Sequence, residues 1–115
     1  ERSPHRLANG ELSPSAKRGR EVFVGKAGCG GCHPEPSFTD QQMHDVGTTR
    51  KMDQGKKVKT PTLIELWRTA PYLHTGFAVT LPEVLTKFNP NDQHGKTSHL
   101  SKQELDDLLE YLLSL

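Results

Sequence analysis

Cys29 and Cys32 are separated by two glycines, and His33 follows at once. Two thiols at that spacing beside an imidazole suit three chemistries: a redox dithiol, half of a zinc site, or attachment of a haem through its two vinyl groups with the histidine on iron. A redox dithiol belongs at a strand-to-helix junction, and no such pattern surrounds this pair. Zinc needs further ligands at ordinary spacing, yet the chain has no second cysteine pair. A disulfide here would close a loop too small to stabilise much. The spacing therefore predicts one covalent haem c, anchored by Cys29 and Cys32, with His33 as the proximal iron ligand.

The far side of the iron has several candidates: His94, His99, Met43, Met52, His44, His74, or water alone. A methionine thioether would raise the reduction potential. Met43 follows His33 by ten residues, and an extended chain covers about 3.3 Å per residue, so reaching round a haem edge is feasible. For both methionines, filling a gap against the haem or a loop is the commoner role. Trp67 and Tyr72 offer N–H and O–H donors to a propionate and enough ring area to shield a haem edge, or serve as plain core.

These residues need a scaffold, and the chain has little apolar material from which to build one. Its 115 residues are 32% hydrophobic with a net charge of +1, which predicts one small domain whose middle is filled partly by a cofactor. Residues 1–12 read as a polar linker and 13–115 as the domain. Ser13-Pro14 starts a helix running to Val24 with Ala16, Gly19, Val22 and Phe23 on one face. Glycines at 28, 30 and 31 loosen the chain where it approaches a flat ligand. Residues 34–59 show no sustained period and fit an irregular segment wrapped on a cofactor. Short helices are expected from Thr60 to Trp67 and from Thr80 to Phe88. Ser101 with Glu104 reads as a capping box, and the leucines from Leu105 to Leu113 recur at helical spacing. This last helix should pack on the first, with Gly19 permitting close approach.

Several segments occur in the order found in one family. Gly25 to His33, Phe38-Thr39-Asp40, His44-Asp45-Val46-Gly47-Thr48, Lys59-Thr60-Pro61-Thr62-Leu63 and Thr69 to Gly76 resemble the C-terminal haem domain of the bacterial di-haem cytochrome c peroxidases and of the related methylamine dehydrogenase maturation enzymes. The resemblance covers roughly 12–115. It implies an all-α, single-domain cytochrome c fold around one haem, a periplasmic or otherwise exported location, and electron transfer or peroxide chemistry. His44 and His74 fall in its motifs, as pocket-lining or propionate-binding residues. In that family a Met or Tyr beyond the Pro-Tyr-x-His motif is the second axial ligand. Here that position holds Phe88, which cannot ligate iron, so His94 in the adjoining loop becomes the expected replacement. A two-haem peroxidase needs a second attachment motif, and this chain has one.

Three functions follow as expectations, the third being a small-ligand sensor with an open haem and no turnover. The first is a single-electron carrier with a redox partner protein or a fused domain, its oligomeric state open. The second is a peroxide-using enzyme with an open distal face and His44 or Glu35 as base. Arg50, Lys51, Lys56, Lys57 and Lys59 form a basic stretch suited to propionates or to steering an acidic partner. No aromatics interleave with these charges, so nucleic acid is not expected. No apolar run approaches membrane-spanning length.

Overall fold

The computed structural model describes residues 1–49 and 55–115. Helix α1 spans Pro14–Val24. Ser13 stays extended and its hydroxyl accepts from the Ala16 N–H, while Pro14 occupies the first turn, where it has no N–H to waste. Helix α3, Lys102–Leu113, opens with the expected capping box: the Ser101 hydroxyl accepts from Glu104 N, and the Glu104 carboxylate accepts from Ser101 N.

Gly19 brings α1 against α3. A Cβ at that position would lie 1.8 Å from the Asp107 carbonyl oxygen and 2.9 Å from Tyr111 Cβ, so no larger residue fits without separating the helices. Beside this crossing Phe23 packs edge-on against Tyr111, centroids 5.2 Å apart, and against Phe38 at 6.1 Å. Asp107, buried in α3, accepts from both Arg18 and Ser15 of α1. These contacts close the two helices on each other.

Between these helices the chain is mostly turns. Helix α2 runs only over Leu81–Leu85, shorter than expected. The Thr86 hydroxyl bonds back to the Pro82 carbonyl and the backbone leaves helical geometry there. The helix expected from Thr60 to Trp67 reduces to a 3-10 turn at Leu66–Arg68. Thr60 is extended instead, its N–H donating to the Gln42 carbonyl, and Glu65 is left-handed at φ 63°. That extended stretch adjoins a feature an all-α reading lacks: strands β1 (Met43–His44) and β2 (Val58–Lys59), antiparallel, with Met43 opposite Lys59 and His44 opposite Val58.

The segment expected as a linker is laid over the end of α3. The Ser3 hydroxyl donates to the Leu113 carbonyl at 2.5 Å and Arg6 Nε to the Ser114 carbonyl at 2.9 Å. The Glu1 amino group meets the Glu65 carboxylate. No helix among the described residues is long and apolar enough to cross a membrane.

Candidate haem site

The irregular middle of the chain encloses a cavity of about 580 Å³. Leu63, Leu66, Leu81, Val84, Leu85 and Leu112 give it an apolar wall. Cys29 and Cys32 enter it from a 3-10 turn at Cys29–Gly31 that follows α1. The two cysteines are not joined to each other in a disulfide. Burial pushes the Cys29 thiol up to about 11 and also raises Cys32, where the charge of Asp40 adds to the effect. A redox dithiol needs the opposite, a thiol lowered toward neutrality.

His33 is buried on the wall of the same cavity. Its Nδ1 lies 2.9 Å from the Phe38 carbonyl oxygen. A carbonyl only accepts, so Nδ1 carries the hydrogen and Nε2 keeps its lone pair, the tautomer that a metal-binding imidazole requires. Burial lowers the affinity of His33 for a second proton, an effect that the Phe38 and Pro61 carbonyls partly offset.

His94 reaches the cavity from the loop after α2. Its Nδ1 is buried and has no hydrogen-bond partner in the protein. Burial, with the nearby His33, pushes its pKa down to about 4, so the ring is neutral at physiological pH and offers a lone pair. Gly95 lets this loop lie flat on the attachment segment. Its φ is +75°, and a Cβ there would sit 3.1 Å from the Ala27 carbonyl oxygen and 3.6 Å from Cys29 Sγ. An apolar cavity, two thiols at one edge and two neutral imidazoles on its wall are the donor set a haem c takes, and the residues present fit it.

The other expected residues divide. His44 lines the cavity and its Nε2 pairs with the Asp40 carboxylate at 2.7 Å. Asp40 is held down to about 2, chiefly by the Gln42 N–H and then by hydrogen bonds from His44 and Thr60. Cys32, Asp40 and His44 offer ligand atoms within 4.8 Å of one another. Tyr72 lines the cavity, but its hydroxyl donates to the Leu66 carbonyl. His74 lines it from an exposed position. Trp67 and Phe88 lie off the wall: the Trp67 ring carries Arg68 over its face and keeps a buried, unpartnered Nε1, and Phe88 stacks on Phe77.

Among the distal candidates, Met43 is 54% exposed on β1 and His99 is exposed; neither lines the cavity. Met52, with Arg50 and Lys51, falls outside the described residues. Glu35, considered as a base, does not line the cavity; it is held bidentate by Arg20 at 2.9 and 3.0 Å and bonded by the Tyr111 hydroxyl. Lys56, Lys57 and Lys59 are exposed. Sequence reasoning passed over Asn89 and Asp92, which organise the His94 loop. The run Asn89-Pro90-Asn91-Asp92, all turn formers, was the available signal.

Known proteins resemble this chain in sequence and fold. Residues 16–115 match the cytochrome c family. The chain is 35% identical to hydrazine synthase subunit gamma of Kuenenia stuttgartiensis, with 98% of this chain and 44% of that protein aligned. It is 32% identical to the methylamine utilization protein MauG of Methylorubrum extorquens, over 90% and 35% of the two chains. A solved structure of Kuenenia stuttgartiensis hydrazine synthase pressurised with xenon superposes at a TM-score of 0.90, with 34% identity over 99% of this chain and 50% of that one. The chain thus spans half or less of the length of these relatives. The match over nearly its whole length establishes that this chain belongs to the cytochrome c family, whose members hold haem c covalently.

Proposed function

We propose that this chain is a single-electron transfer module built on one haem c, with thioether bonds from Cys29 and Cys32, His33 as the proximal ligand and His94 as the distal one. The bound group supplies one-electron chemistry at iron. The observation carrying this reading is the His94 ring: it is neutral, it reaches the cavity that His33 also lines, and its buried Nδ1 has no protein partner. A buried polar atom without a partner is rare in a native protein and calls for a ligand. Two imidazole ligands would occupy both axial positions, favour the ferric state, and set a potential below that of a His/Met cytochrome.

The remaining residues serve that role. The Phe38 carbonyl orients His33, the leucine wall excludes water, and His44, Tyr72 and His74 border the cofactor's rim. Haem attachment to reduced thiols takes place outside the bacterial cytoplasm, so the working location is the periplasm or another exported site. The gamma subunit of hydrazine synthase belongs to a larger enzyme, and by analogy this chain exchanges electrons with a partner subunit or fused domain. A second reading, peroxide chemistry at an open iron, draws on similarity to proteins named cytochrome-c peroxidase IdrP1, 29% identical.

One pair of measurements tests both. Intact mass of the matured protein should exceed that of the bare polypeptide by one haem, and the ferric absorption and paramagnetic resonance spectra should be low-spin. Changing His94 to alanine should convert the iron to high spin. A low-spin spectrum unaltered in that variant removes His94 from the site, and a high-spin wild type hands the function to the peroxide reading.

A further inference from the structure

The loop that carries His94 has no helix or strand to hold it; Asp92 ties its far end at Thr97 and Ser98, and Asn89 holds the part around His94 itself. Asn89 is 4% exposed. Its Oδ1 accepts from the His94 N–H at 2.9 Å, and its Nδ2 donates to the carbonyls of His94 at 3.0 Å and Gly95 at 3.1 Å and to Thr97 Oγ1 at 3.0 Å. The orientation of this amide is not free: a backbone N–H must meet oxygen and backbone carbonyls must meet N–H. The carboxamide therefore holds both the N–H and the C=O of His94 at once.

Two further bonds tie the clasp to fixed parts of the molecule. Thr97 Oγ1 donates onward to the Leu85 carbonyl at 2.6 Å, at the end of α2, and Lys96 N donates to the Ala27 carbonyl at 2.9 Å, two residues before Cys29. The backbone of His94 is thereby referenced to the attachment segment on one side and to the core on the other. No other single side chain replaces this. Aspartate would set a carboxylate against two carbonyls, alanine offers nothing, and glutamine is one methylene too long for the same ring.

We propose that Asn89 is the positioning residue for the second axial ligand: by clasping the His94 backbone it holds that imidazole toward the iron and governs how readily the sixth position opens to another ligand. This rests on the assignment of His94 to the iron, which a separate variant tests. Held this way, the module admits electrons but turns away small ligands, which must wait for the clasp to release.

The experiment uses the full haem-loaded chain and compares wild type, Asn89→Ala, Thr97→Val, His94→Ala and Asp107→Asn for the rate of cyanide binding to ferric iron and for spin state. Asn89→Ala should bind cyanide about tenfold faster, consistent with the loss of buried hydrogen bonds, with a rise in high-spin signal. Thr97→Val should move the rate in the same direction by less. Asp107→Asn lowers stability far from the loop and should leave the cyanide rate at the wild-type value, which separates positioning from general destabilisation. If His94→Ala is high-spin while Asn89→Ala binds cyanide at the wild-type rate, the clasp is refuted and the ligand assignment survives. If His94→Ala leaves the low-spin spectrum unchanged, the ligand assignment itself fails. Should Asn89→Ala not mature, Thr97→Val decides, and an unchanged rate there overturns the proposal.

Discussion

The Asp107 carboxylate gathers four hydrogen bonds from three side chains. Its Oδ1 accepts from Ser15 Oγ at 2.6 Å, Gln103 Nε2 at 2.9 Å and Arg18 Nη2 at 3.1 Å, and its Oδ2 accepts from Arg18 Nε at 2.9 Å. The hydrogen bond from Arg18 is the main cause holding the carboxyl below its ordinary 3.8. Between that depressed value and 3.8 the unfolded chain binds more protons than the native one, so stability rises with pH. The contribution is complete above pH 3.8 and is lost as pH falls through the folded value. Replacing Asp107 with asparagine should cost about 1–3 kcal/mol at neutral pH, since hydrogen bonds to a buried charge are lost. Urea unfolding at pH 7 and near pH 3 checks this: the gap between wild type and variant should narrow in acid, and a gap of constant size would show that the charge is not what matters. The residues proposed to bear on the cofactor were legible to different degrees, for chemical reasons. Cys29, Cys32 and His33 announce themselves by spacing alone. His94 emerged only by elimination once Phe88 stood where a ligand was expected, and Asn89 escaped because its work is done on backbone, which leaves no pattern in side-chain types.

At the scale of elements, the two long helices were readable in place and extent and the short ones were not. Both α1 and α3 carry a serine cap at the start and a helical stripe of apolar positions, local signals that agree with one another. The segments 60–67 and 80–88 carry helix starters without a stripe long enough to sustain them. Hydrogen bonding then decides: Thr60 is drawn to Gln42 across the fold, and at Thr86 a local bond from its hydroxyl to the Pro82 carbonyl marks the turn out of the helix. Two-residue strands lie below what periodicity can detect. The α1–α3 crossing offers a sharp test because two effects oppose each other at Gly19. Alanine in place of glycine favours a helix by about 1 kcal/mol. Here the added methyl would meet the Asp107 carbonyl at 1.8 Å, and backbone in a capped helix has no rotamer by which to yield. The clash should win, leaving Gly19→Ala destabilised by about 1–3 kcal/mol. Thermal or urea unfolding measures it, and a variant as stable as wild type would mean that the helices cross with more room than the structure gives them.

For the whole molecule the question is what the cofactor holds together. The frame of α1 and α3 closes on itself through Gly19, the Phe23, Phe38 and Tyr111 rings, and the Arg18–Asp107 pair, with residues 1–12 strapped over the end of α3. The stretch from 40 to 98 has a different construction. Among its described residues are a five-residue helix, a 3-10 turn and a two-residue ladder, and many of its apolar side chains line one cavity. Burying apolar surface is the main force for order, at about 25 cal/mol per Å², and in this half of the chain the cofactor would supply most of the opposing surface. Order should therefore depend on the haem unequally. A Cys29→Ala, Cys32→Ala double variant, unable to form either thioether, should lose amide-exchange protection across 40–98 while Pro14–Val24 and Lys102–Leu113 keep a substantial part of theirs, since local opening follows local contact density. Hydrogen exchange read by mass spectrometry separates the cases. Uniform protection in the double variant would mean that the cavity wall is ordered by the protein alone, and uniform loss would mean that the helix pair is not an independent frame; either result breaks the division of labour drawn here.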